Sequence, residues 1–482
     1  MSTCRLLLLA AGLFAVGCSD TRIEQVSRPP VRPDNVVLVS IDSLRADHLA
    51  SYGYHRETSP TLDRMAREGV LFEQVVAESS WTLPTHHSIL TGLASNVHGV
   101  LSDDVRLSED HTTLAELFKA AGYRTFGVWS GAYLHSVFGF DQGFDGWVGV
   151  GRTAKMDREE FDLAGSKDER RRVINGANVG SHKSRTSEDV TAQALDFLKD
   201  VGQRPFFLFL HYFDVHYDYI PPEKYWRRFD PDYAGDYSPE KFISDPAVHA
   251  DMDERELQHI LARYDGEILY VDEYVGQVVQ QLELSGLAEQ TLVVVTSDHG
   301  EEFFEHGYKG HFRTLFDEVL MVPLVFYQPS RLSTGTRIPA QVRHIDIAPT
   351  ILDWVGLPVP GTMMGTSLAS SLTGDQARED LPAISRLHPE SKPGYWISSR
   401  NSDWKLVLRH RRATGVTLTD FDLTSDPAEL FPAATESAAA RAALEAWREF
   451  EVAARNELNA RNSAVELTDE MQSELDDLGY AE

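Results

Sequence analysis

The sequence is poor in cysteine and in positive charge. Only Cys4 and Cys18 occur among 482 residues, so no disulfide, zinc-thiolate cluster or catalytic thiol is available to the body of the chain. Lys and Arg number 45 against 74 Asp and Glu, which gives a formal charge of −29. Because nucleic-acid binding draws its affinity from clustered basic side chains, this balance argues against a nucleic-acid partner. The 42% hydrophobic and 25% charged residues are typical of a globular protein.

The N-terminus has an apolar run that is too short to cross a membrane. Arg5 precedes the apolar residues 6–16, whereas a membrane-spanning helix needs about 20 residues. The pattern predicts a signal peptide over residues 1–17. Cys18 follows a small residue and resembles the lipidated cysteine of bacterial lipoproteins, with plain signal cleavage nearby as the alternative. We therefore expect an exported protein, periplasmic or on the cell surface, held to a membrane through Cys18 and a proline-containing linker over residues 18–34.

Buried strands alternate with amphipathic helices along the chain. Continuous apolar runs predict strands at 35–41, 125–129, 206–210, 292–296 and 322–326, and apolar residues at helical spacing predict helices at 59–68, 113–121, 188–198 and 254–284. This alternation predicts an α/β fold with a large, mainly parallel sheet over residues 35–375. Short strands at 396–399 and 404–409 and a helix at 437–456 predict a smaller antiparallel α+β subdomain, with an acidic tail, over residues 376–482. The charged, aperiodic residues 151–190 are interpreted as a surface insertion.

Acidic and imidazole side chains follow several of these strands. Asp42 follows the first strand, and Asp298 and His299 follow the fourth. The carboxyl ends of parallel strands meet at one edge of a sheet, where ligands bind. A buried carboxylate is costly unless it is paired or bound to a cation, so this group favours a divalent metal site with oxygen and nitrogen ligands.

The most specific segment is residues 79–92, SSWTLPTHHSILTG. It resembles the nucleophile signature of the sulfatases in the alkaline phosphatase superfamily. Further segments resemble the same family in the same chain order: IDSLRADH at 41–48, SPTLD at 59–63, GFD at 139–141, TSDHGE at 296–301, HIDIAPT at 344–350 and SDWK at 402–405. The resemblance covers about residues 35–430 and implies the sulfatase-like fold.

The resemblance also implies a metal site and a nucleophile. The family's metal ligands correspond to Asp42, Asp298 and His299, with the nucleophile Thr82 as a further ligand. A single divalent ion at such a site activates a hydroxyl group and offsets the charge that develops on the transferred group. Ser43 stands where the family has a second Asp, which leaves zinc, manganese, magnesium and calcium open.

The nucleophile departs from the sulfatase signature. Sulfatases convert a Cys or Ser to formylglycine, which a threonine cannot form by that route, whereas related phosphodiesterases and phosphoethanolamine transferases use a Thr. The resemblance at Thr82 therefore favours hydrolysis of a phosphate monoester, phosphodiester or phosphonate. A sulfatase that works without formylglycine and an inactive ligand-binding lipoprotein are the alternatives.

The remaining candidates would bind the anionic ester. His216 corresponds to a family histidine that contacts the ester, and His311 to a phosphate-binding histidine suited to protonate the leaving oxygen. His86 replaces the signature Arg, and Lys309 lies near His311; both are expected to bind substrate. His211 and Asp214 are weaker candidates for a second metal, because their spacing does not match two-metal phosphodiesterases. The sequence does not indicate the oligomeric state.

Overall fold

The computed structural model describes residues 35–433 and residue 449, except for 104, 152–184, 203, 236, 238–240, 333–334, 375–379, 389–393 and 412–414. The signal peptide, the linker, most of the predicted insertion, the boundary at residue 375 and the predicted helix at 437–456 therefore lie outside the described residues, apart from isolated positions. Among the helices that are described, none is both long and apolar enough to cross a membrane.

Fourteen strands are described. They are β1 Asn35–Ile41, β2 Val70–Val76, β3 Arg124–Trp129, β4 Gly146–Gly149, β5 Phe206–Tyr212, β6 Thr291–Ser297, β7 Glu302–Phe303, β8 Lys309–Gly310, β9 Leu324–Tyr327, β10 Thr336–Arg343, β11 Ala383–Leu387, β12 Gly394–Arg400, β13 Trp404–Arg411 and β14 Gly415–Asp422. The helices are α1 Pro60–Glu68, α2 Thr82–Thr91, α3 Ser95–His98, α4 Leu114–Ala120, α5 Ser187–Asp200, α6 Glu223–Trp226, α7 Glu254–Leu284, α8 Asp317–Leu320, α9 Ile347–Val355 and α10 Ala369–Leu372.

Eight strands form one sheet in the order β10-β2-β9-β6-β1-β5-β3-β4. All neighbours pair in parallel except β9, which is antiparallel to β2 and to β6. β1 lies between β5 and β6, and every residue of these three strands is buried. Burial on both faces is what selects their continuous aliphatic runs. The predicted mainly parallel α/β sheet is confirmed.

Two hydrophobic clusters cover the two faces of this sheet. On one face, α7 packs through Tyr264, Ile268, Val271 and Val275, which recur at helical spacing as the sequence predicts. On the other face, α2, α4 and α9 pack against Phe207, Phe209 and their neighbours. A separate antiparallel sheet, in the order β11-β12-β13-β14, follows in the chain and confirms the smaller C-terminal sheet.

Candidate active site

The metal-ligand candidates meet at the carboxyl ends of β1 and β6. These strands pair in parallel with Ile41 opposite Ser297, so the next residues, Asp42 and Asp298, leave the sheet side by side. Both are fully buried, as is His299. One ligand atom from each of Asp42, Asp298 and His299 lies within 4.8 Å of the other two. The structure therefore brings together the three side chains that the sequence singles out.

A turn at Ser43 forms hydrogen bonds to both carboxylates. Ser43 adopts a left-handed conformation with φ of 58°. Its backbone N–H donates to Asp298 Oδ1 at 3.1 Å, and its hydroxyl donates to Asp42 Oδ1 at 3.0 Å. The Tyr264 hydroxyl donates to the Ser43 carbonyl at 2.7 Å and accepts from the Arg45 N–H at 2.9 Å. The turn thus occupies one oxygen of each carboxylate and leaves the other pointing into the site.

Thr82 is the first residue of helix α2. Pro84 is tolerated there because the first-turn N–H groups of a helix have no intrahelical acceptor. The Thr82 hydroxyl lies 3.3 Å from His299 Nε2. Its place at a helix N-terminus, where the backbone dipoles favour negative charge, suits a group that attacks as an alkoxide.

Three buried polar atoms in the site have no hydrogen-bond partner among the described residues. They are Asp42 Oδ2, Asp298 Oδ2 and His211 Nε2. Burial raises the pKa of Asp42 to about 6, although His299 and Ser43 act in the opposite direction. Burial lowers the pKa of His211 to about 4, so its ring is neutral at pH 7. Carboxylate oxygens and imidazole nitrogens together in a buried site fit the donor set of a divalent cation.

His86 lies beneath the nucleophile and does not line the pocket. Its Nδ1–H donates to the Thr82 carbonyl at 2.9 Å, and its Nε2 accepts from the Ser40 hydroxyl at 2.9 Å. Both ring nitrogens are therefore used within the protein. Burial lowers its pKa to about 3, which keeps the ring neutral. The position does not support the expected direct contact of His86 with substrate.

An open pocket of about 550 Å³ lies above Asp42 and Thr82. His216 and His311 line it with their ring centroids 4.7 Å apart. His216 Nδ1–H donates to the Tyr217 carbonyl at 2.5 Å, and His311 Nδ1 lies 2.9 Å from Glu301 Oε1. The structure therefore places these two histidines on the open side of Thr82.

Lys309 and Asp214 have structural partners away from this pocket. Lys309 lies on β8 and donates to the carbonyls of Asp245 and Val248 at 3.0 and 2.7 Å. Asp214 accepts from the backbone N–H groups of Thr186 and Ser187 where α5 begins. Neither side chain lines the pocket, so Lys309 is not placed to contact an ester bound there, and Asp214 does not join His211 at a metal.

Sequence reasoning missed the aromatic wall of the pocket. Its members are Trp81, Tyr133, Phe213, Tyr217 and Phe312. The signal for three of them was adjacency in the chain to Thr82, His216 and His311. Tyr133 lies far from these residues in the sequence and is brought to them only by the fold. The wall confines the open side of the site and limits the shape of any alcohol or aryl group bound there.

Two family models and known relatives match most of this chain. A family model described as sulfatase matches residues 34–357, and one described as N-sulphoglucosamine sulphohydrolase, C-terminal, matches residues 304–453. The N-acetylglucosamine-6-O-sulfatase of Bacteroides thetaiotaomicron is 24% identical over an alignment of 505 positions, which covers 88% of this chain and 86% of that protein. PehA of Trinickia caryophylli, a multifunctional alkaline phosphatase superfamily protein, is 27% identical over 398 residues, covering 69% and 76%.

A solved structure shares the fold over nearly the whole chain. The phosphonate monoester hydrolase of Agrobacterium radiobacter superposes with a TM-score of 0.68 at 23% identity, covering 91% of this chain and 99% of that one.

Proposed function

Because the chain belongs to the sulfatase family, we propose that it is a metal-dependent hydrolase that uses Thr82 to cleave a phosphate monoester, phosphodiester or phosphonate ester. The family relationship supports an ester hydrolase over an inactive binding protein. The observation that carries the finer proposal is the position of the Thr82 hydroxyl, at a helix N-terminus, beside the Asp42, Asp298 and His299 cluster and open to the pocket.

The residues of the site divide the chemistry between them. A divalent cation held by Asp42, Asp298 and His299 would lower the pKa of the Thr82 hydroxyl and offset oxyanion charge. Thr82 Oγ1 loses its proton to water in the open pocket and forms a bond to phosphorus while the bond from phosphorus to the ester oxygen breaks. The departing alcohol takes a proton from His311 or His216, which line the pocket. Water then cleaves the phosphothreonine and restores the hydroxyl.

Two positions that the sequence offered for substrate binding receive other roles in this proposal. His86 positions the backbone of the nucleophile through the Thr82 carbonyl. Lys309 fixes the backbone near residues 245–248. Substrate binding is assigned instead to His216, His311 and the pocket walls.

A sulfuric ester is the second candidate substrate. The similarity to the N-acetylglucosamine-6-O-sulfatase and the match to the N-sulphoglucosamine sulphohydrolase C-terminal model favour it. Sulfate and phosphate esters share a tetrahedral anionic centre, so the pocket geometry does not separate them. The nature of the nucleophile is the ground for preferring phosphorus.

Initial rates on p-nitrophenyl phosphate, a phosphodiester, a phosphonate and a sulfate, each with zinc, manganese, magnesium or calcium, test the proposal. Thr82→Ala should lower the phosphoester rate by at least about 1,000-fold, as loss of a nucleophile does in other hydrolases. Thr85→Ala removes a buried hydroxyl from the same helix, which donates to the Ser79 carbonyl at 3.2 Å, and serves as the matched control. Quenched turnovers of the wild type should contain a phosphoryl group on Thr82. A dominant sulfate rate, or full activity in Thr82→Ala, would overturn the proposal.

We also propose that the protein is exported and anchored through a lipidated Cys18. The support is the sequence of residues 1–34 alone. Cys18→Ser should move the protein from the membrane fraction to the soluble fraction of its host. Unchanged fractionation and absence of labelling by a radioactive fatty acid would contradict the anchor.

A further inference from the structure

A fourth buried side chain faces the metal-ligand candidates. His211 lies on β5, directly opposite Ser40 of β1 in the parallel pairing. Its ring is fully buried, and its Nε2 is 3.4 Å from Asp42 Oδ2. A ring nitrogen of His211 and a carboxylate oxygen of Asp298 are also within 4.8 Å of each other. His211 is therefore within reach of both carboxylates, Asp42 and Asp298.

The hydrogen bonds of His211 fix which nitrogen faces this space. Its Nδ1 lies 2.6 Å from the Ser130 carbonyl, and a carbonyl only accepts, so Nδ1 carries the proton. In the neutral ring, Nε2 then presents a lone pair. His299 has the same arrangement, because its Nδ1–H donates to the Gly300 carbonyl at 3.0 Å. A backbone carbonyl that holds the far nitrogen is the usual support of a histidine that binds a metal.

Three of the atoms left without partners belong to these residues. Asp42 Oδ2, Asp298 Oδ2 and His211 Nε2 are all buried and all without a hydrogen-bond partner among the described residues. Each is an electron-pair donor, and the approach of His211 Nε2 to Asp42 Oδ2 at 3.4 Å is unfavourable unless a positive charge lies beside them. The corresponding oxygens on the other side of each carboxylate are already bonded to Ser43.

Two of the separations suit a small cation. Neighbouring ligand atoms that each lie about 2.1 Å from one ion are about 3.0–3.4 Å apart. His211 Nε2 is 3.4 Å from Asp42 Oδ2, and His299 Nε2 is 3.4 Å from Asp298 Oδ2. His86 is the other imidazole beside Asp298, at 3.7 Å, but its Nδ1 is protonated and its Nε2 is bonded to Ser40. His211 is therefore the imidazole with a lone pair to give.

We propose that His211 is a further protein ligand of the divalent cation, through Nε2, and that the two imidazoles make the site select Zn²⁺ over Ca²⁺. This inference rests on the proposed metal-dependent function. Two carboxylate oxygens and two imidazole nitrogens are a common donor set for zinc, whereas calcium takes six to eight oxygen ligands. With Ser43 in place of a carboxylate, Asp42 and Asp298 supply the negative charge of the proposed ligand set, and His211 on β5 supplies the additional donor.

Metal titration of the chelator-stripped protein tests the assignment without relying on turnover. Zn²⁺ and Ca²⁺ affinities are measured by competition with a chromophoric chelator, and Co²⁺ absorption in the visible range reports the ligand set. His211→Gln should weaken Zn²⁺ binding by at least about 10-fold and alter the Co²⁺ spectrum. His86→Gln, the matched imidazole control, should keep the wild-type spectrum. Unchanged Zn²⁺ affinity and an unchanged Co²⁺ spectrum in His211→Gln would overturn the inference.

A gain-of-function variant gives a second test. Ser43 adopts a left-handed conformation that Asp tolerates, and its side chain already reaches Asp42. Ser43→Asp added to His211→Gln should shift the preference towards Ca²⁺. A preference for Zn²⁺ as strong as in the wild type would count against the selectivity.

A measurement on the unmodified protein covers the case in which the variants fail to fold. X-ray absorption of the zinc-loaded wild type should show two imidazole ligands, whereas a single imidazole would overturn the role of His211. Wild-type protein that binds no divalent metal would overturn the proposed function itself, and this inference with it. If the wild type binds metal and His211→Gln leaves the Zn²⁺ affinity and the Co²⁺ spectrum unchanged, only the inference about His211 is overturned.

Discussion

A buried network of charged side chains lies beside the site, and its contribution to the free energy of unfolding can be tested. Asp317, at the start of α8, accepts from Arg400 Nη2 at 3.0 Å and from Lys405 Nζ at 2.8 Å. Lys405 is completely buried and also pairs with Glu429 at 2.8 Å. The same helix, α8, supports the loop that carries Asp298 and His299, because the Gly300 N–H donates to the Val319 carbonyl at 3.0 Å. The network therefore links the small antiparallel sheet to the residues that follow Asp298.

Asp317→Asn should lower the free energy of unfolding by about 3 kcal/mol. Removing one partner of a buried ion pair costs about 3–5 kcal/mol when the remaining charge stays buried without compensation. In this variant Arg400 loses its carboxylate partner, whereas Lys405 keeps Glu429. Asp317 is 17% exposed in its side chain, and Asn keeps one acceptor oxygen, so the lower end applies. The matched control is Glu283→Gln, whose partner Arg64 is 3.1 Å away on the surface and which should cost no more than about 1 kcal/mol.

The assay is urea unfolding at pH 7, followed by circular dichroism and repeated at lower pH. Burial acts against ionisation of Asp317, but Arg400 and Lys405 outweigh it and hold the pKa below its usual value of 3.8. A lowered folded-state pKa stabilises the protein above the unfolded pKa and loses this effect as the pH falls. The gap between wild type and Asp317→Asn should therefore narrow below about pH 4. A loss at pH 7 no larger than that of Glu283→Gln would refute the reasoning.

Three other substitutions probe the site. Gly300→Ala would place its Cβ 2.1 Å from the Glu318 carbonyl oxygen, so overpacking should lower the free energy of unfolding by about 1–3 kcal/mol. It should also weaken metal binding in a chelator competition. Wild-type metal affinity would contradict the effect of this close contact. Tyr264→Phe removes the hydroxyl that bonds to the Ser43 carbonyl and the Arg45 N–H, and should lower the free energy of unfolding in urea by about 1–3 kcal/mol. An unchanged free energy of unfolding would contradict this prediction. Thr82→Ser keeps a hydroxyl nucleophile and should retain a measurable phosphoester rate, and a rate as low as that of Thr82→Ala would show that the hydroxyl alone is not sufficient.

Particular strands show where sequence patterns were not sufficient. β2 carries Glu73 and Gln74 in its middle, where both are half-buried, so it lacked a continuous apolar run. β10 contains Pro339 at a register irregularity between Ile338 and Gln341, on the edge of the sheet where a missing N–H is tolerated. The apolar run at 322–326 was predicted as a strand, and only the fold shows that β9, Leu324–Tyr327, runs antiparallel to both neighbours. Apolar content reports burial, and it carries no information on strand direction.

The sequence by itself determined the central strands, the amphipathic helices and the cluster of Asp42, Thr82, Asp298 and His299. These follow from local patterns and from the rule that polar residues after parallel strands meet at one edge. Only the tertiary structure decided the roles of the other histidines, because the partners of each ring nitrogen come from distant parts of the chain. Both ring nitrogens of His86 bond to Ser40 and the Thr82 carbonyl. In His211, by contrast, Nδ1 bonds to the Ser130 carbonyl, which leaves Nε2 facing the carboxylates.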